Sequence, residues 1–310
     1  MTTYKEIRGT NIEAVTSDPS NPNDGQIWFN TTTNVVKGFK DFGTGSWATG
    51  GDLNTGRGDF AGAGTQTAAL AFGGNPDTAK TEKYNGTSWT EVNDLNTVRM
   101  YLGGCGTQTL AVAFGGYAST AATANTETWN GTNWTEKNNM NTARYPVASA
   151  GSRTAALAFG GDPALAITET WNGTNWTEVN DLNTGRRSLA GAGTNTAALA
   201  FGGTPGNKNE TELYNGTNWT EVNNLSTGRS VLAGAGTSTA ALAFGGNPGP
   251  ALTETWNGTN WTEVGDLSRG TEKLAGAGTN TAALAFGGSP QVVATEEFIA
   301  GGVTDTFTDA

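Results

Sequence analysis

The chain of 310 residues contains no histidine and a single cysteine. Without an imidazole there is no Ser-His-Asp base and no histidine to ligate zinc. One thiol, Cys105, can neither close an internal disulfide nor build a thiolate metal site, so no redox compartment is implied. Charge is scarce too: Asp, Glu, Lys and Arg make up 15% of the residues, with a net balance of −11. No basic run stands out, and binding to nucleic acid rests on Lys and Arg neutralising phosphates, so nucleic acid is not an expected partner. The acidic balance reads as a solubility device. No apolar run approaches the ~18 residues of a spanning helix, and no charged-then-apolar start is visible. Neither membrane insertion nor a secretory leader is expected.

What the chain has in abundance is glycine, 46 residues of it, alongside Thr, Asn and Ala, the profile of a turn-rich β protein. These residues fall into a unit of about forty-two positions that recurs six times, the signature of an array of supersecondary elements. Diglycines stand at Gly73-Gly74, Gly115-Gly116, Gly160-Gly161, Gly202-Gly203, Gly245-Gly246 and Gly287-Gly288. Tryptophans keep step at Trp47, Trp89, Trp134, Trp176, Trp219 and Trp261. Ten positions after each Trp comes Arg57, Arg99, Arg144, Arg186, Arg229 or, out of pattern, Thr271. Only the stretch between a diglycine and the next Trp changes length. Cys105 sits where other units carry Ala, which marks it as a small buried filler.

Within one unit, Ala197–Phe201 alternates large and small residues with the period of a strand, and the following Gly202-Gly203 ends it. A second pair of strand-like runs, Glu210–Tyr214 and Asn218–Val222, flanks Asn215-Gly216. Asn-Gly between two such runs predicts a type I′ hairpin, and the pair recurs at Asn85, Asn130, Asn172 and Asn257. These asparagines are also glycosylation sequons, but the turn explains both residues without sugar. Each unit therefore predicts four short antiparallel strands. One such sheet cannot bury its own faces, whereas radial packing against its neighbours can, and that arrangement is a β-propeller. Ala and Gly in the first two strands suit the crowded axis, and the ring pairs Tyr84 with Trp89, Trp129 with Trp134, Trp171 with Trp176, Tyr214 with Trp219 and Trp256 with Trp261 suit the wider outside. At about 25 cal/mol per Å² and about 150–250 Å² per ring, each contributes at most about 4–6 kcal/mol.

Diglycine, ring, Trp and basic link (Gly202-Gly203, Tyr214, Trp219, Arg229 and their counterparts) resemble the kelch repeat family over residues 50 to 300. The resemblance implies an all-β, kelch-like β-propeller of four-stranded antiparallel blades. Unit boundaries fall at about 57–98, 99–143, 144–185, 186–228, 229–270 and 271–310, preceded by an N-terminal β element over 1–56. The last unit departs from the pattern: Phe298 holds the ring position, Val303 replaces Trp and Thr271 replaces Arg. Ile12–Val15, Gln26–Asn30, Val35–Phe39 and the Phe42/Trp47 pair supply material for a further, irregular blade, so seven blades are preferred over six plus an N-terminal hairpin.

Strand alternation puts the loops between second and third strands on the same face as the interblade links. The candidate binding residues on that face are Asn75, Asp77, Lys80, Tyr117, Asp162, Asn207, Lys208 and Asn209. Aromatic residues are few in these loops. The recurring carboxylates, Thr-Glu beside the rings and Asp-Leu in the links, read as turn and link supports rather than an acid/base pair, and no catalytic, cofactor or metal site is expected. The stretch Asp18–Phe39, with its Trp-Phe-Asn-Thr run and Lys-Gly-Phe strand, resembles a β element near the starts of bacteriophage tail and fibre proteins. Together with near-identical kelch units it is similar to virion proteins of marine phages. That resemblance implies a non-enzymatic structural or adhesion protein, a tail fibre, knob or capsid decoration, made in the host cytoplasm and carried on an extracellular particle. Its implied partners are other virion proteins and a host-surface glycan or receptor, with homo-oligomers compatible. An intracellular kelch interaction scaffold and a polysaccharide-acting enzyme are the alternatives.

Overall fold

The computed structural model describes residues 12–19, 26–40, 45–301 and 303–307. Phe42 lies outside them. The chain divides into two compact units, residues 46–299 and residues 1–45 with 300–310. Among the described residues there are seven four-stranded sheets, six in the larger unit and one in the smaller.

The first blade of the larger unit consists, from axis to rim, of Ala61–Thr65, Ala68–Phe72, Thr81–Tyr84 and Trp89–Val92, all antiparallel. Four more follow the same order, with inner strands Gly103–Gly106, Ala148–Ser152, Ala190–Gly193 and Ala233–Gly236. In the sixth, Ala275–Gly278, Ala282–Phe286 and Thr295–Ile299 are completed by Ser46–Thr49 from the other end of the chain. Each inner strand packs beside the next, and Ala275–Gly278 packs beside Ala61–Thr65. Seven four-stranded sheets are thus present, as preferred from the sequence, but the six of the larger unit close a β-propeller ring by themselves. The seventh, in the smaller unit, draws strands from both chain ends and is neither a blade of that ring nor the simple N-terminal hairpin of the alternative.

Two aromatic circuits explain the closure. Within each blade the third-strand ring meets the fourth-strand Trp, as in Tyr84–Trp89 at 5.0 Å and Trp171–Trp176 at 5.4 Å. Between blades the second-strand Phe meets the next blade's Trp: Phe72–Trp134, Phe114–Trp176, Phe159–Trp219, Phe201–Trp261, Phe244–Trp47 and Phe286–Trp89, all at 4.8–5.0 Å. Trp47 also meets Phe298 at 5.1 Å. The missing tryptophan of the last unit is thus Trp47, and Val303 is not its replacement. Val303–Phe307 pairs instead with Val35–Lys40. Indole N–H groups carry the same circuit, each donating to a threonine of the preceding blade: Trp134 to Thr81 at 3.0 Å, Trp89 to Thr295 at 3.0 Å and Trp47 to Thr253 at 3.0 Å.

Small residues near the axis are a steric requirement. A Cβ added to Gly234 would lie 2.7 Å from Phe201 Cζ and 2.8 Å from Gly191 O. The Asn-Gly turns differ from the hairpin expected. Tyr84 pairs with Trp89, which leaves a four-residue connection, and only Gly86 takes positive φ, at 91°. Asn85 instead caps the turn, its side-chain oxygen accepting from Thr87 N and Ser88 N at 2.9 Å each.

In the smaller unit, Glu13–Val15 runs parallel to Ile27–Asn30, which pairs antiparallel with Val35–Lys40. Three residues of the Asp18–Phe39 stretch converge on one carboxylate: Trp28 Nε1 (3.0 Å), Asn30 Nδ2 (2.7 Å) and Lys37 Nζ (2.6 Å) all donate to Asp18. Those bonds, Lys37's first, bring its pKa down to about 2.

Candidate functional site

The link arginines are wholly interior. Arg57, Arg99, Arg144, Arg186 and Arg229 pair with Glu82, Glu127, Glu169, Glu212 and Glu254, the first Thr-Glu carboxylate of each blade. The same carboxylates accept amide bonds from the preceding link, for example Asn183 N at 2.7 Å. Link residues Asp94, Asp181 and Asp266 cap the third strands at Thr81, Thr168 and Thr253. Burial is the main force lowering the arginine pKa values, opposed by each partner glutamate. The repeated carboxylates and arginines therefore hold blades together.

Each link is also gripped by the diglycine of the blade before it. Gly74 N donates to Arg99 O at 2.9 Å, Gly203 N to Arg229 O at 2.8 Å and Gly288 N to Arg57 O at 2.9 Å. The second glycines have φ between 98° and 136°, a region L side chains rarely adopt.

The two residues after each link Arg or its Thr271 counterpart are where the near-copies disagree: Gly58-Asp59, Met100-Tyr101, Tyr145-Pro146, Arg187-Ser188, Ser230-Val231 and Glu272-Lys273. The second of each pair lines one mouth of a central channel of about 260 Å³ whose walls are Ala and Gly of the inner strands. Asp59, Tyr101, Ser188, Val231 and Lys273 all have φ of 52–60°. Left-handed backbone costs a non-glycine residue about 1–3 kcal/mol. Blade-to-blade bonds hold it: Asp59 N to Lys273 O (2.9 Å), Tyr101 N to Asp59 O (2.7 Å), Val231 N to Ser188 O (2.8 Å) and Lys273 N to Val231 O (2.8 Å).

One sector of this mouth concentrates chemistry. Lys273 Nζ stands 3.4 Å from Asp59 Oδ2, and 6.0 Å from the centre of the Tyr101 ring. Asp59 is buried, so this ion pair is largely withdrawn from water. Burial pushes the Asp59 pKa up against the pull of Lys273. Burial is the largest single influence on Lys273 and opposes its charge, but Asp59, Tyr101 and Glu272 together outweigh it and the lysine pKa stands above its usual value. Tyr101 lies 5.8 Å from Tyr145, which meets Tyr117 edge-on at 4.8 Å. Asp162 donates its amide to Tyr145 O at 2.5 Å and its carboxylate pairs with Arg187. Tyr117 opens a loop that forms its own ribbon, Tyr117–Ala118 against Ala121–Ala122.

Of the residues singled out from sequence, Tyr117 and Asp162 belong to this sector, each touching Tyr145. The others are spread around the face and bonded locally. Lys80 reaches Glu91 at 3.0 Å and Thr55 at 3.1 Å, Lys208 reaches Glu210 at 2.8 Å, and Asn207 accepts from Ser230 Oγ at 2.8 Å. Asn209 Nδ2 is 3.4 Å from Leu225 O, Asn75 pairs through its backbone with Gly58, and Asp77 is exposed. Sequence reasoning missed Asp59, Tyr101, Tyr145, Arg187 and Lys273. Their signal was the pair of positions after each Arg at which otherwise matching units differ. Cys105 lies in the channel wall, buried, its pKa pushed up to about 12 by that burial, as suits a filler. Among the described residues no cluster of His, Cys, Asp and Glu is able to hold a metal ion. No known protein-family model matches the chain, and no curated protein matches it either.

Proposed function

We propose that the chain is a non-enzymatic bacteriophage virion protein of kelch type. In this reading it displays its propeller on the particle and contacts a host-surface glycan or a neighbouring virion protein through the variable face. The observation that carries the reading is where the copies differ: the length changes and the pairs after each Arg gather on one face of an otherwise uniform ring. Selection acting on stability alone has no reason to diversify one rim of a repeated scaffold, whereas recognition does. Further support comes from the N-terminal β element with its phage-like Trp28, Asn30 and Lys37 around Asp18, and from recurring carboxylates already occupied by arginines and link amides. Mass spectrometry of purified particles tests it. The protein is expected in stoichiometric copies per virion, and its recovery only from the soluble fraction of infected cells would favour the intracellular scaffold instead.

A further inference from the structure

We propose that Tyr101, Tyr117 and Tyr145, together with Asp59, form a saccharide-binding site that takes a neutral pyranose and runs outward from the channel mouth, which Asp59 and Tyr101 line. This deepens the attachment reading and rests on it for the biological source of the sugar. Three observations converge.

The first is aromatic. Three half-buried tyrosines drawn from two blades and one loop abut at 4.8–5.8 Å, although the loops themselves are poor in aromatics. A tyrosine offers a rigid apolar face and a polar tip at little entropic cost, matching a ring with a C–H face and hydroxyl edges. The ring circuits of the blade interior repeat in every blade, but this cluster occurs in one sector, so ring closure does not need it.

The second is polar. Asp59 is buried, and its Oδ2 faces Lys273 Nζ at 3.4 Å. A carboxylate has more lone pairs than one ion pair uses, and a sugar hydroxyl is a donor of the right kind for those that remain. The backbone at Asp59 is fixed by bonds to both neighbouring blades, so the acceptor is pre-positioned.

The third is charge. Both cations of the sector are already neutralised, Lys273 by Asp59 and Arg187 by Asp162, and the chain carries −11 overall. That balance disfavours sialylated or phosphorylated sugars and leaves uncharged ones.

An array of neutral gluco-, galacto- and manno-oligosaccharides, probed with the full chain, tests the site. Binding to at least one series is expected. Y145A and Y117A should each weaken it by about tenfold, Y145F should stay close to wild type, and D59N, which also breaks the Lys273 pair and lowers the thermal melt, should weaken it in protein still folded at the assay temperature. Replacing the Asn247–Leu252 loop, in another sector, should leave binding unchanged. Retention of full affinity by a folded Y117A/Y145A variant would overturn the proposal, as would preference for anionic sugars, or for a virion protein with no neutral saccharide bound. The attachment reading fails separately: tyrosine-dependent sugar binding by a protein absent from particles would leave the site standing and remove the virion role. Loss of binding on exchanging all variable loops, with the tyrosine variants unaffected, would do the reverse.

Discussion

Replacing Arg186 by methionine isolates what the buried ion pairs do. Its guanidinium donates to Gly202 O at 3.0 Å, Glu210 O at 2.7 Å and Glu212 Oε1 at 2.8 Å, and both charged groups are interior. Methionine keeps most of the side-chain volume and removes every one of those bonds, leaving Glu212 buried without a cation. Breaking one partner of such a pair costs about 3–5 kcal/mol, mostly the penalty of the stranded charge. For a unit of this size, about 2–4 °C per kcal/mol converts that to a fall in Tm of roughly 6–20 °C. Differential scanning calorimetry of wild type, R186M and R186M/E212Q at neutral pH measures this. The double variant, which removes the stranded charge, should recover much of the loss. A drop below about 1 kcal/mol in R186M would refute the claim that these pairs anchor the links.

The sixth blade is a natural deletion of that pair: Thr271 replaces the arginine, its Oγ1 is buried without a partner, and Glu296 is left with the Ser268 amide at 2.8 Å. T271R should therefore raise thermal stability by about 1–3 kcal/mol, read by calorimetry, and unchanged or lowered stability would show that this blade has repacked around threonine. In the smaller unit, Asp18 has a folded pKa brought down to about 2 from 3.8. Its contribution is fully present above the unfolded value and disappears as pH falls from about 4 towards 2. Hydrogen exchange at the Trp28 indole should accelerate over that window in wild type and already be fast in D18N at neutral pH.

Most of the ring was legible because its determinants are periodic. Diglycine, ring, Trp and Arg recur in phase, and each makes the same contact in blade after blade. Closure was not, because it is the one place where phase and chain order disagree. Trp47 keeps step with the other tryptophans yet precedes a complete unit, while the last unit lacks its own. Both facts describe a single strand moved to the opposite end of the chain. The Asn-Gly turns were misjudged for a local reason: strand ends at Tyr84 and Trp89 leave four residues, and the asparagine side chain does the work assigned to its backbone. The mouth residues were visible only as disagreement among copies. Nothing local distinguishes Tyr101, Tyr145 or Lys273 from link filler, and positions about forty-two apart meet only once the ring brings each link to the axis.

The ring closed by its own N-terminal strand is most directly tested by a paired-cysteine variant, Ser46→Cys with Ile299→Cys. These positions face each other across the last blade, where antiparallel partners sit about 4.5–5.5 Å apart at Cα, within disulfide reach. Mild oxidation followed by peptide mapping should yield a rapid intramolecular 46–299 crosslink in monomeric protein, with buried Cys105 unmodified. Free thiols at both positions in folded monomer, or only intermolecular bridges, would contradict the six-blade ring.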